Sequence, residues 1–209
     1  MFENIIKNVH NRHPLIHCIT NYVSINDCAN IVLACGGAPI MAEDINEVSQ
    51  ITSICQGLDI NIGMLNDNKL SSMLKAGATA NELGIPVILD PVGAGSSDYR
   101  IKAVQNLMSN VQFGVIRGNV SEIKAIAAKQ GIHNIAAGVY ETMQKNKSAM
   151  GVEAGIADKI TDDNIKEMAD FINKLSQKTG AVIAVTGRID MVADENLSLI
   201  HISEPTRLG

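Results

Sequence analysis

The chain has 209 residues, 46% of them hydrophobic, which is enough for one domain with a sizeable core. Aromatics make up only 3% and Trp is absent, so Ile, Val, Leu, Ala and Met must fill that core, a palette suited to parallel sheet buried on both faces. A net charge of -5, with 19% charged residues scattered along the chain, leaves no basic footprint for nucleic acid or an anionic membrane, and no apolar run reaches transmembrane length.

Phe2, Ile5, Ile6 and Val9 recur at helical spacing over residues 2–11. The same stretch has no long apolar run and is no secretory signal. Leu15–Ile19 reads as a short strand, 24–35 as a helix closed by Gly36 and Gly37, and 38–41 as another short strand. Residues 44–55 read as a helix and LDINIG (58–63) as a buried strand. Residues 67–83 form the clearest amphipathic helix, ending at Gly84. PVILDP (86–91) is a strand bounded by prolines, and VGAGSS follows as a glycine-rich turn. Residues 100–109 read as a helix and FGVIRG (113–118) as a strand, and Asn119 with Glu122 forms a capping-type pair for the next helix. Residues 129–161 suggest a loop with helical pieces, and 162–178 a helix. AVIAVTG (181–187) and DMVAD (190–194) read as strands. Strands alternating with helices predict βαβ units and a mostly parallel sheet.

The four cysteines, Cys18, Cys28, Cys35 and Cys55, form no CxxC pair, and no histidines complete a zinc spacing. Four reduced, buried thiols and a cytosolic compartment are expected.

In open α/β sheets ligands bind beyond the carboxyl ends of the strands. Those ends carry Asp90, then the VGAG turn; Arg117, then Gly118, Asn119 and Glu122; and Thr186 with Gly187. Carboxylates, a guanidinium, a hydroxyl and glycine-turn amides are the inventory for a magnesium-bound polyphosphate. Taken singly, Asp90 could be a cap, Arg117 a structural salt bridge and Glu122 half of a capping box. No GxxxxGK[ST] or strand-borne GxGxxG is present, which excludes a P-loop and argues against a Rossmann dinucleotide site. A second cluster holds His17, Thr20, Asn21 and Asn26. Thr and Asn are ordinary turn formers, and His17 reads as a satisfied, half-buried histidine. Met41 at a strand end is either core packing or the wall of an apolar ring.

Five segments together resemble the hydroxyethylthiazole kinase family: PLIHCITNYVSINDCANIVLACGGAPIMAED (14–44), LDINIGMLN (58–66), GIPVILDPVGAGSSDYR (84–100), VIRGNVSEI (115–123) and VIAVTGRIDMVAD (182–194). The resemblance implies a ribokinase-like three-layer α/β sandwich with a mostly parallel central sheet. It implies a cytoplasmic, Mg2+-dependent enzyme of thiamine biosynthesis and salvage. That enzyme transfers the ATP γ-phosphate to the alcohol of 4-methyl-5-(2-hydroxyethyl)thiazole and works as a homotrimer. By resemblance, Arg117, Thr186, Asn119 and Gly187 would contact ATP. Asp90 and Glu122 would hold the metal, and Met41, Asn21 and Gly63 would line the thiazole pocket.

The family continues to a GTGC-type anion-hole loop whose Cys is catalytic, and no such loop follows here. Residues 1–196 are therefore expected to be a partial kinase domain with its C-terminal part missing, and 197–209 a non-family tail, either a sequencing or assembly artefact or the product of a natural frameshift or a shortened paralogue. A chain lacking that loop is expected to be inactive and prone to associate. Residues 131–151 resemble an insertion. Two alternatives stand beside the thiazole kinase: a hydroxymethylpyrimidine kinase of the same fold, and a catalytically dead nucleotide-binding module.

Overall fold

The structure, a computed structural model, describes residues 2–130, 160, 161, 163–196 and 198–202. The chain divides into two units, Met1–Asp90 with Asn106–Gln112 and Pro91–Gln105 with Phe113–Gly209.

In the first unit helices and strands alternate: α1 (Phe2–Arg12), β1 (Leu15–Ile19), α2 (Ile25–Ala34), β2 (Ala38–Ile40), α3 (Val48–Ser53), β3 (Gly57–Asn61), α4 (Asp67–Glu82) and β4 (Val87–Asp90). The strands lie in the order β2-β1-β3-β4 and every pairing is parallel. Parallel neighbours need a crossover, which the intervening helices supply. The apolar runs bury Ile19, Leu58, Ile60, Ile62 and Leu89. Helix α4 turns Met73, Ala76, Gly77 and Ala80 inward, the spacing of one helical face. A side chain at Gly77 could not fit, since its Cβ would lie 2.5 Å from Val111 Cγ2. All four strands run the same way, so their carboxyl ends, and the residues just beyond them, share one edge.

Helix α5 (Asp98–Asn110) is followed in the second unit by β5 (Val115–Asn119), α6 (Val120–Lys129), α7 (Ile165–Thr179), β6 (Val182–Thr186), β7 (Ile189–Ala193) and β8 (Ser198–Ile202). β5 and β6 pair in parallel, with Asn119 opposite Thr186. β7 and then β8 add on antiparallel. Helix α7 buries Met168, Phe171, Ile172 and Leu175, then stops at Gly180 in the left-handed region, φ 69°.

The α/β alternation matches expectation, and most element boundaries fall within a residue or two of it. The helix expected over 44–55 contracts to Val48–Ser53, because the Asp44 carboxylate accepts from the Asn46 backbone and side chain and makes a turn first. Helix α7 likewise starts at Ile165, after Asn164 Oδ1 has accepted from the Thr161 amide. Strand β8 lies in the segment expected to be a tail. Most of the loop expected over 129–161, and the whole 131–151 insertion, lie outside the described residues. The expectation of four buried thiols is corrected: Cys18 and Cys55 are buried, Cys28 is half-buried and Cys35 is exposed. Cys35 caps the end of α2, a helix with no buried residue, which is why its thiol meets solvent. Burial pushes the Cys18 thiol up to about 12, so it stays protonated and unreactive.

Candidate functional site

In the first unit the strand ends carry a directed chain of hydrogen bonds. The Ser24 amide and hydroxyl donate to Asn21 Oδ1 at 3.0 and 3.1 Å. Asn21 Nδ2 donates to Asn61 Oδ1 at 3.3 Å, and the Gly63 amide donates to the same oxygen at 2.8 Å. Asn61 Nδ2 then donates to Asp90 Oδ2 at 3.0 Å. The register explains the last contact, since Asn61 and Asp90 are direct partners on β3 and β4. A Cβ at Gly63 would come 2.9 Å from Asn61 Oδ1 and 3.1 Å from Asn21 Nδ2, so only glycine leaves room for the two amides. Asn21, Gly63 and Asp90 are thus brought together. Met41 sits half-buried one residue past β2, on the same carboxyl edge.

Lys69, on the first turn of α4, ties two of these loops. Its ammonium, only 4% exposed, donates to the Thr20 carbonyl, pairs with Glu43 at 2.8 Å and lies 4.7 Å from the centre of the Tyr22 ring. The Tyr22 hydroxyl donates to the other Glu43 oxygen. Carboxylate, carbonyl and ring face together offset the cost of burying the ammonium. Glu43 feels some desolvation, but the hydrogen bonds from Lys69 and Tyr22 outweigh it and hold its carboxyl below the usual range. His17 is completely buried rather than half-buried. Its Nε2 donates to the Ala42 carbonyl at 2.8 Å, and its Nδ1 accepts from the Thr52 hydroxyl at 2.9 Å. Burial lowers its pKa against the pull of that carbonyl, so the ring is a neutral structural brace and not a base.

In the second unit Glu122 is the organising residue. The capping box is real: Asn119 Oδ1 accepts from the Glu122 amide at 3.0 Å and Glu122 Oε2 accepts from the Asn119 amide at 2.8 Å. Glu122 Oε1 accepts from the Gly93 amide at 2.9 Å, which fastens the VGAG turn to the start of α6. Gly93 has φ 66°, a conformation glycine adopts without strain. Gly118 is needed beside it, because a Cβ there would come 3.0 Å from Glu122 Oε2. One expected anion donor, the Gly93 amide, therefore serves Glu122. The Gly187 amide likewise donates to Asp190 Oδ1 at 2.9 Å. Arg117 is exposed, and Asn119 and Thr186 are half-exposed on paired strand ends. The Thr186 hydroxyl reaches the Gly118 carbonyl at 3.5 Å.

Reasoning from sequence missed Asn61, Lys69, Glu43 and Tyr22. Two of them had a signal. Asn61 is a polar residue between the buried Ile60 and Ile62, and Lys69 falls four residues before Met73 on the buried stripe of α4. Glu43 and Tyr22 had none, because only tertiary pairing with Lys69 singles them out.

Comparison with known proteins bears on family and fold. The model of the hydroxyethylthiazole kinase family matches residues 6–161. A hydroxyethylthiazole kinase of Clostridium acetobutylicum is 51% identical over 200 residues, covering 96% of this chain and 67% of that protein. One from Methanobrevibacter smithii is 44% identical over 190 residues, covering 91% of this chain and 63% of the relative. The chain thus spans about two thirds of the length of the curated relatives it matches. The solved hydroxyethylthiazole kinase of Pyrococcus horikoshii superposes with a TM-score of 0.76 at 30% identity, covering 94% of this chain and 65% of that one. An Escherichia coli protein titled a putative ribokinase II superposes at 0.51 with 10% identity, which speaks to the fold alone. The ribokinase-like α/β fold is therefore shown. These relatives lend no support to the hydroxymethylpyrimidine alternative or to an inactive module.

Proposed function

The chain belongs to the hydroxyethylthiazole kinase family, and from that premise we propose that it serves the ATP-dependent phosphorylation of the alcohol of 4-methyl-5-(2-hydroxyethyl)thiazole. The observation that carries this reading is the chain from Asn21 and Gly63 through Asn61 to Asp90. It holds two pocket candidates and a carboxylate in fixed relation at one sheet edge. The half-buried Met41 on that edge suits the wall of an apolar ring.

Phosphoryl transfer needs positioning and charge stabilisation more than covalent help from the protein. In this reading Arg117, Asn119, Thr186 and Gly187 meet the nucleotide. The exposed Arg117 offers its planar fork to phosphate oxygens. Mg2+ is commonly held by one or two carboxylates together with substrate phosphates, so a protein cage is not required. Asp90 in the first unit and Glu122 in the second are each a carboxylate candidate of that kind, and each is oriented by N–H donors within its own unit. Bound there, the ion would offset charge on the phosphoryl oxygens. Gly187 would meet the nucleotide through atoms other than its amide, which donates to Asp190.

A homotrimer is part of the same reading. Its support is α2, which buries none of its residues, with Ile31 and Leu33 on the helix and Val23 just before it exposed. Among the described residues no helix is long and apolar enough to cross a membrane. A cytoplasmic location belongs to the proposal.

The test is a coupled assay of ADP release with Mg2+ and either the thiazole alcohol or hydroxymethylpyrimidine. ADP released with the thiazole alcohol alone is expected, against the expectation from the absent GTGC-type loop that the chain is inactive. Turnover of the pyrimidine instead would overturn the substrate assignment. R117A should weaken ATP binding at least about tenfold, the scale of one lost charged hydrogen bond, while leaving thiazole binding intact. Sedimentation at equilibrium reads the trimer.

A further inference from the structure

Asn61 is 8% exposed and uses its carboxamide on both sides. Its oxygen takes the Gly63 amide and Asn21 Nδ2, and its nitrogen serves Asp90. The orientation is unambiguous. Turning the amide over would set its NH2 against two donors and its oxygen against a carboxylate. Asn21 is oriented in the same way, because its own oxygen is taken by the Ser24 amide and hydroxyl. All donors in the chain therefore point toward Asp90, an arrangement in which each bond polarises the next. The backbone repeats the tie, with the Ile62 amide donating to the Asp90 carbonyl at 3.1 Å.

We propose that Asn61 is a positioning residue that couples the thiazole pocket to the Asp90 carboxylate, through a carboxamide that only Asn can orient in both directions. Asn61 touches neither alcohol nor phosphate in this scheme. It holds Gly63 and Asn21 at one end and sets the rotamer of Asp90 at the other. The inference rests on the thiazole kinase reading.

An exchange of partners tests it. N61D keeps shape and the accepting oxygen but sets a second carboxylate against Asp90. Affinity for the thiazole alcohol, measured calorimetrically on the full chain without Mg2+, should fall about tenfold or more, the cost of one disrupted buried charge contact. N61D/D90N restores a donor and acceptor across the pair, with the roles reversed. It should recover affinity to within about threefold of the parent, although the carboxylate is gone. A purely structural Asn61 would give a double variant no better than the single. That result, in affinity or in folding, overturns the proposal, as does N61D binding like the parent. Hydrogen exchange at the Gly63 amide reads the coupling without ligand: faster in N61D, restored in N61D/D90N. A parent chain that binds no thiazole alcohol, with exchange behaving as stated, would sink the functional reading while sparing the coupling.

Discussion

The two units solve the same problem, fixing loops at strand ends, by different means. In the first, side chains hold one another as well as backbone: Asn21 to Asn61 to Asp90, and Lys69 to Glu43 to Tyr22. In the second, side chains hold backbone: Glu122 takes the Asn119 and Gly93 amides, and Asp190 takes the Gly187 amide. Under the proposed function, the difference follows from what each loop would carry. A pocket for a small, mostly apolar ring gains specificity from interlocked side chains whose rotamers are fixed. Loops that meet a polyanion need their backbone shape held while a cation such as Arg117 stays exposed. A site of the first kind is sensitive to single polar substitutions, and one of the second kind to the loss of a cap.

The largest effect expected lies outside both networks. Phe171, on the inward face of α7, is fully buried, and F171A should cost about 4 kcal/mol in urea unfolding. It sets the scale for the rest. K69M should follow at about 2 kcal/mol, because the Thr20 carbonyl loses its ammonium while the half-exposed Glu43 can regain water. A K69M chain as stable as the parent would break the comparison at its stronger side. E122A should cost about 1 kcal/mol, the usual worth of a cap, and should speed hydrogen exchange at Gly93. Unchanged exchange at Gly93 would show that the turn holds itself.

The smallest expected effect is the pH dependence from His17. Burial keeps its folded pKa below the ordinary 6.5, so as pH falls the unfolded chain takes the proton first. Its contribution is intact above pH 6.5 and is lost as pH drops through that value toward the lowered folded pKa. The urea midpoint of the parent should decline over this window. H17Q should lose that part of the slope, and an unchanged slope would mean that another group titrates.

Much of the fold was legible because it depends on local pattern. The alternating Leu58, Ile60 and Ile62 and the stripe Met73, Ala76, Ala80 reveal strand and helix from their own spacing. The capping box was readable too, since Asn119 and Glu122 stand three residues apart. What escaped were contacts at long sequence separation. Lys69 meets Thr20 across 49 positions, and Asn61 meets Asp90 across 29. No local pattern encodes which loop a buried ammonium will reach.

By itself the sequence determined the α/β alternation, the strand ends where polar residues collect, and kinship with the thiazole kinases through its motifs. These follow from periodicity, glycine placement and residue type, which are properties of short segments. Tertiary structure alone decided the use of each polar group. It turned His17 into a neutral brace, gave the Gly93 amide to Glu122, and set one end of the Asn61 carboxamide on Asn21 and Gly63 and the other on Asp90. The physical reason is that a buried donor or acceptor must find a partner in space, and the parallel register, not chain order, determines which partner is within reach.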